Sequence, residues 1–168
     1  FAITKMKLPP FIATMSMQMM TKGLSLVVSG IKPVYFTAAP GYKNIAMGNF
    51  LGIQGFYTAF FLFIVIIGIA WLLYSRTLLG RYTTAIGSNQ EAARLSGIKT
   101  DKWKMLIYTV CGLFSAAAGL VMSSRLGSAQ PQLGAGYELE AIAAAVIGGT
   151  SMSGGEGSIT GTVIGAFI

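Results

Sequence analysis

Two carboxylates two residues apart, Glu138 and Glu140, come nearest in this sequence to an acid–base pair. On a helix, residues two apart point to different faces, so the two could not share one proton. They stand at the start of an apolar segment, where acidic side chains complement the helix dipole. That, or a structural hydrogen bond, is the plainer reading; the other is contact with a hydroxyl-rich solute in passage. The chain has no His and a single Cys, Cys111, so it lacks the commonest general base, the commonest zinc ligand and any disulfide framework. Cys111 sits in an apolar run and reads as a small buried apolar residue. The turn Gly148-Gly-Thr-Ser-Met-Ser-Gly-Gly-Glu-Gly157 invites a phosphate-loop reading, but no Gly-Lys-Ser/Thr follows it and neither a strand nor dinucleotide spacing precedes it. The glycines are explained by crowding between packed segments and by positive φ, with Glu156 at the membrane surface. Catalytic residues, a metal and a cofactor are therefore not expected on this chain.

The elements that would carry these residues are membrane helices. The 168 residues are 54% hydrophobic and 10% charged, with a mean hydropathy of +0.67, against roughly 25% charged residues in soluble domains. The chain does not begin with Met and stops at Ile168 inside an apolar run, so it reads as a piece truncated at both ends, without a secretory cleavage site. The net charge of +7 does not form a basic patch interleaved with aromatics, which argues against nucleic acid. It concentrates between Arg76 and Lys104, where Arg76, Arg81, Arg94, Lys99, Lys102 and Lys104 face only Glu91 and Asp101, a net +4. The positive-inside rule places that loop in the cytoplasm.

The expected fold class is an all-α polytopic integral membrane protein, a single transmembrane domain over residues 1–168. A first span runs over about 11–29, opened by Pro9-Pro10 and preceded by Lys5 and Lys7. Thr14, Gln18, Thr21, Lys22, Ser25 and Ser29 recur along one stripe of it. Polar groups at membrane depth should face protein or water, so the stripe either makes helix–helix hydrogen bonds or walls a polar passage, with Lys22 snorkelling outward. Residues 30–55 form an outer connection rich in Gly and Pro (Gly52 and Gly55 among them), whose Tyr35, Phe36 and Tyr42 suit an interfacial belt or an extracytoplasmic contact. Phe56–Ser75 is a second span, twelve of its twenty residues being Phe, Leu, Ile or Val, about 30 Å long. A third runs over Trp103–Ser124, with Gly112 and Gly119 in small-residue spacings for close packing. After a polar turn containing Gln130, Tyr137–Gly149 is too short to cross comfortably and reads as short or re-entrant. A last span starts at about Ser158, with Gly157, Gly161 and Gly165 forming a ridge and Gly148 and Gly149 in the turn before it. Thr14, Gln18, Ser25, Gln130, Tyr137, Glu138 and Glu140 are the candidates for a translocation path.

The basic loop 76–102 holds a helix of about eight residues near Asn89–Ser96. Ser88 and Glu91 form a capping box and Gly97 a left-handed C-terminal cap, with Ile98 folding back onto Ala93. So short a helix is not stable alone. Ala92, Leu95 and Ile98 give it an apolar face, which rests either on its own membrane domain or in a groove on a partner.

Gly80-Arg-Tyr-Thr-Thr-Ala-Ile-Gly-Ser-Asn-Gln-Glu-Ala-Ala-Arg-Leu-Ser-Gly97 and Ser128-Ala-Gln-Pro-Gln-Leu-Gly-Ala-Gly-Tyr-Glu-Leu-Glu-Ala-Ile-Ala-Ala145, running on to Gly155, resemble the ribose-type monosaccharide permeases of bacterial ABC importers. Leu8-Pro-Pro-Phe-Ile-Ala-Thr14 and Lys32-Pro-Val-Tyr-Phe36 are similar to the same family, so the likeness covers nearly the whole chain; Glu140 stands where many relatives carry Asp. The resemblance implies a homodimeric permease in membrane lipid, with two cytoplasmic ATPases that hold the ATP and Mg, and an extracytoplasmic sugar-binding protein. The chain would be roughly the later half of one permease subunit in the bacterial cytoplasmic membrane. Ser88, Glu91, Ala92, Ala93, Arg94, Leu95, Gly97 and Ile98 would then be the ATPase-coupling loop, and alternating access would carry a ribose-like sugar inward. The rivals are a permease for branched-chain amino acids or another small solute, and a stand-alone secondary transporter or channel. The last would usually leave acidic or basic residues inside the spans, and there is no Asp, Glu, Lys, Arg or His between Tyr57 and Ser75 or between Leu106 and Ser124.

Overall fold

The computed structural model describes residues 3–6, 8–37, 40–48 and 57–168. Lys7, Gly52, Gly55 and Phe56, used in the reading above, lie outside them. Among the described residues the chain is all-α, with eight α-helices and one two-residue strand pair. Three helices are long and apolar enough to cross a membrane: α1 (Pro10–Ser29), α3 (Thr58–Arg76) and α6 (Thr100–Leu126). Their apolar side chains are left exposed, as lipid-facing helices require once every backbone group is bonded within the helix.

The chain divides into two compact units. The first comprises residues 1–63 and 112–133 and gathers the ends of the long helices. α1 starts with Pro10 in its first turn, where proline's missing N–H costs nothing. It ends at Gly30 (φ 60°), where the Ile31 N–H donates to the Leu26 carbonyl at 3.0 Å. The strand β1 (Val34–Tyr35) follows and pairs antiparallel with β2 (Ser128–Ala129), which comes just after α6. α1 and α6 therefore end at one face.

A short hook, a 3-10 turn (Pro40–Lys43) leading into α2 (Asn44–Met47), is pinned to the end of α6. The Ser124 hydroxyl, fully buried, donates to the Tyr42 carbonyl at 2.6 Å and accepts from the Ala46 N–H at 3.1 Å. The Tyr42 hydroxyl reaches Ser123 Oγ at 2.7 Å, and its ring packs on Phe36 with centroids 4.5 Å apart. Phe36 and Tyr42 thus pack on their own chain, whereas Tyr35 stays exposed. The Gly48 carbonyl accepts from both the N–H (2.9 Å) and the hydroxyl (2.7 Å) of Thr58, so α3 starts beside this hook.

The second unit comprises residues 64–111 and 134–168. It holds α4 (Leu78–Ser88) and α5 (Gln90–Leu95) between α3 and α6, then α7 (Tyr137–Ile147) and α8 (Ile159–Gly165). α7 is 11 residues, about 16 Å at 1.5 Å per residue and half a hydrocarbon core. Its packing on α8 is backbone against backbone. A Cβ on Gly161 would stand 2.0 Å from the Gly148 carbonyl oxygen, and one on Gly165 would stand 2.2 Å from the Ala144 oxygen.

Candidate functional site

The basic loop is a helical corner with single-residue joints. Arg76 ends α3 with its guanidinium 5.9 Å from the Trp71 ring centroid, a cation–π contact. Thr77 alone separates α3 from α4; its hydroxyl donates to the Leu73 carbonyl (2.5 Å) and accepts from the Leu79 N–H (3.2 Å). The corner is so tight that a Cβ on Gly80 would overlap the Tyr74 carbonyl. The helix α4 was not anticipated from the sequence, because Arg81, Thr83, Thr84 and its glycines read as loop. Leu78, Tyr82 and Ile86 at four-residue spacing were the available signal.

Asn89 alone separates α4 from α5 and caps both. Its N–H donates back to Ala85 O at 3.2 Å, and its side-chain oxygen accepts from the Ala92 N–H at 3.0 Å. This corrects the expected capping box. Ser88 is the last residue of α4, so the role of N-cap passes to the next residue, and Glu91 serves as the acidic member of the first turn. α5 has six helical residues where about eight were expected.

The C-terminal end of α5 is a Schellman motif. Gly97 adopts φ 84°, its N–H donates to Arg94 O (3.0 Å), and the Ile98 N–H donates to Ala93 O (3.1 Å). Lys104 Nζ donates to Gln90 Oε1 at 2.5 Å and ties α6 to the start of α5. With both ends fixed, α5 turns Ala93 inward (5% exposed) and Leu95 outward (86% exposed). Ala92 and Arg94 are exposed too, while Ile98 is half-buried, so the expected apolar face is reduced to Ala92 and Leu95.

The Gly-rich turn closes on this corner. At the end of α7, Gly149 takes φ 87° and the Thr150 N–H donates to Ala145 O at 2.9 Å, a second Schellman cap. Gly149 is therefore a cap residue with nothing within 4 Å of a built Cβ among the described residues, and a Cβ on Gly157 would first meet the Thr150 side chain at 3.3 Å, inside the turn. Gly154 and Gly155 (φ 89° and 85°) lie against the end of α4: a Cβ on Gly154 would be 2.6 Å from the Gly87 oxygen, and one on Gly87 would be 2.7 Å from the Gly155 nitrogen. The Tyr74 hydroxyl donates to Gly157 O at 2.9 Å. A cavity of about 300 Å³ remains between them, with Thr83, Thr84, Thr150 and Ser158 on its walls. Gly112 and Gly119 have nothing within 4 Å of a built Cβ among the described residues.

The translocation candidates divide between the units: Thr14, Gln18, Ser25 and Gln130 in the first, Tyr137, Glu138 and Glu140 in the second. Among the described residues the hydroxyls of the stripe on α1 bond to their own helix. Thr14 donates to Pro10 O, Thr21 to Met17 O and Ser25 to Lys22 O, all within 3.0 Å and all on their own helix. A hydroxyl on an exposed helix finds its i−3 or i−4 carbonyl before any neighbour. The Gln130 amide donates to Ser128 Oγ at 3.4 Å, and Glu138 Oε2 accepts from the Gly136 N–H at 3.1 Å at the start of α7. Glu138 thus makes a structural hydrogen bond in the first turn, and Glu140 is exposed beside it. Among the described residues no group of His, Cys, Asp and Glu is placed to hold a metal ion.

The whole chain, residues 1–168, matches the family model described as branched-chain amino acid transport system / permease component. The ribose import permease protein RbsC of Bacillus subtilis is 47% identical over 167 residues, which are 99% of this chain and 51% of that protein. Ribose import permease protein RbsC of Escherichia coli K12 is 41% identical over 169 residues (99% of this chain, 52% of that protein). The L-arabinose transport system permease protein AraH of the same strain is 36% identical over 168 residues (100% of this chain, 50% of that protein). The chain thus spans about half the length of the curated relatives it matches. No solved structure matches it.

Proposed function

The chain belongs to the permease family of branched-chain amino acid-type transport systems, and from that membership we propose that it forms part of the membrane subunit of an ATP-driven importer for a monosaccharide. The family description names amino acids, but the relatives compared above are named for ribose and arabinose, and these support a sugar. In this reading ATP and Mg are bound by a cytoplasmic partner ATPase, an extracytoplasmic binding protein delivers the sugar, and a second permease copy completes the passage. The membrane is the bacterial cytoplasmic membrane, and residues 76–102 face the ATPase.

The observation that carries the reading is α5. A helix of six residues has no stability of its own, yet this one is capped at both ends, tied to α6 through Lys104 and Gln90, and turns Leu95 outward. Such a helix is built to be gripped in a groove. Of the residues expected in the coupling loop, Ser88 ends α4, and Glu91, Ala92, Ala93, Arg94, Leu95, Gly97 and Ile98 share the task unequally. Ala93, Gly97 and Ile98 hold the helix in place, Glu91 favours its N-terminal end, and Ala92, Arg94 and Leu95 meet the partner. When the ATPases close, the pull on α5 passes through Asn89 into α4 and through Gly87 into the α7–α8 turn.

The test is Leu95→Glu in the full-length permease, with membrane insertion, ATPase co-purification and sugar uptake measured together. Insertion should be unchanged while co-purification and uptake fall at least tenfold, since a buried unpaired carboxylate costs more than about 1.4 kcal/mol. Unchanged uptake by Leu95→Glu would sink the docking role. Uptake of a branched-chain amino acid and not of a pentose by the intact complex would overturn the sugar assignment alone.

A further inference from the structure

Past the end of α5, where Ser96, Gly97 and Ile98 lead into α6, α4 and the start of α6 border a groove of about 540 Å³. Its wall changes character along α6: Lys99 and Lys102 come first, Trp103 next, and Leu106 one turn further on, with the exposed Leu78 of α4 also in the lining. Tyr82 of α4 meets Trp103 edge to face, with ring centroids 4.6 Å apart. Lys99 immediately precedes α6, its carbonyl accepting from the Trp103 N–H at 3.2 Å, and Lys102, Trp103 and Leu106 share one face of the helix, so charge, aromatic and aliphatic groups follow one another along its axis.

This order is that of a lipid read from the headgroup inward. Basic side chains near a membrane surface attract anionic headgroups, interfacial aromatics sit at headgroup depth, and aliphatic groups accept acyl chains. We propose that the groove binds one anionic phospholipid, its phosphate between Lys99 and Lys102 and its acyl chains along Leu78 and Leu106. The bound lipid screens two like charges three residues apart at the start of α6 and fills the angle between α4 and α6 next to α5. The site depends on the chain lying in a membrane and not on the solute moved.

The experiment uses the full-length permease in detergent with equimolar phosphatidylglycerol and phosphatidylethanolamine, the retained lipids being counted by native mass spectrometry. The parent should retain phosphatidylglycerol in preference. Near an anionic surface each lysine contributes on the order of fivefold, so Lys99→Gln with Lys102→Gln should weaken retention by about 25-fold. Lys99→Arg with Lys102→Arg should keep it, as should Arg125→Gln, which removes a charge from the far end of α6. Equal retention of both lipids by the parent, or undiminished preference in the double Gln variant, overturns the site. Displacement of the lipid by inorganic phosphate alone would make it a simple anion site, and one-for-one displacement by the purified ATPase would make it a protein contact; either overturns the lipid assignment.

Discussion

Gly161→Ala tests the packing of α7 on α8 most directly. The added Cβ would stand 2.0 Å from the Gly148 carbonyl oxygen and 3.1 Å from its carbon. Relief to an ordinary contact near 3.3 Å requires the two backbones to part by more than 1 Å, and no flexible side chain is there to yield. Overpacking of this kind costs about 1–3 kcal/mol, and the upper half of that range applies where backbone meets backbone. Alanine returns about 1 kcal/mol of helix propensity over glycine. The net loss of about 1–2 kcal/mol should lower the unfolding temperature by roughly 2–8 °C, measured on the detergent-solubilised full-length permease. Gly68→Ala in α3 supplies the control, because nothing lies within 4 Å of its built Cβ. It makes the same chemical change without the clash and should be neutral or stabilising. Gly148→Ala meets the same contact from the other side, at 2.4 Å from Gly161. The double variant should therefore lose less than the sum of the two singles. A Gly161→Ala protein as stable as its parent, with Gly68→Ala the weaker of the two, would refute the reasoning.

Other expectations follow from single contacts. Ser124→Ala strands the Ala46 N–H and the Tyr42 carbonyl in a buried place and should cost about 1–3 kcal/mol, read as a lower unfolding temperature. Asn89→Ala removes the cap of α5 for a cost of about 1 kcal/mol, whereas Ser88→Ala should leave α5 intact; equal effects of the two on ATPase co-purification would count against the assigned cap. Ile31 is a β-branched residue at φ 63°, so Ile31→Gly should raise the unfolding temperature by relieving about 1 kcal/mol of left-handed strain. Gly87→Ala pushes a methyl into Gly155 and should reduce uptake more than it reduces ATPase co-purification.

The apolar spans were legible because membrane length and composition speak through local runs. α3 begins within two residues of its expected start, and α6 begins three residues early because Thr100, Asp101 and Lys102 make its first turn. The cap at Gly97 was legible for the same local reason. The cap at Asn89 was not: Ser88 and Asn89 are adjacent cap formers, and the choice depends on where α4 stops. The meeting of Gly87 with Gly154 and Gly155, and of Tyr42 with Ser123 and Ser124, joins residues some 70 to 80 positions apart. No periodicity in one sequence relates such distant residues. The small-residue spacings marked Gly112, Gly119, Gly161 and Gly165 alike, yet among the described residues only the last two meet a facing backbone.

The shared cap at Asn89 has a consequence for how this stretch tolerates changes of length. Two helices joined by one residue have no spare chain, and Thr77 imposes the same economy at the preceding corner. One residue inserted after Asn89 would advance α5 by one helical step, about 100° of rotation, and swing Leu95 away from its outward position. The turn Gln130–Gly136, which joins β2 to α7 with seven residues outside any helix or strand, could absorb the same insertion. Length variation should therefore be confined to that turn, while residues 77–98 keep a fixed count.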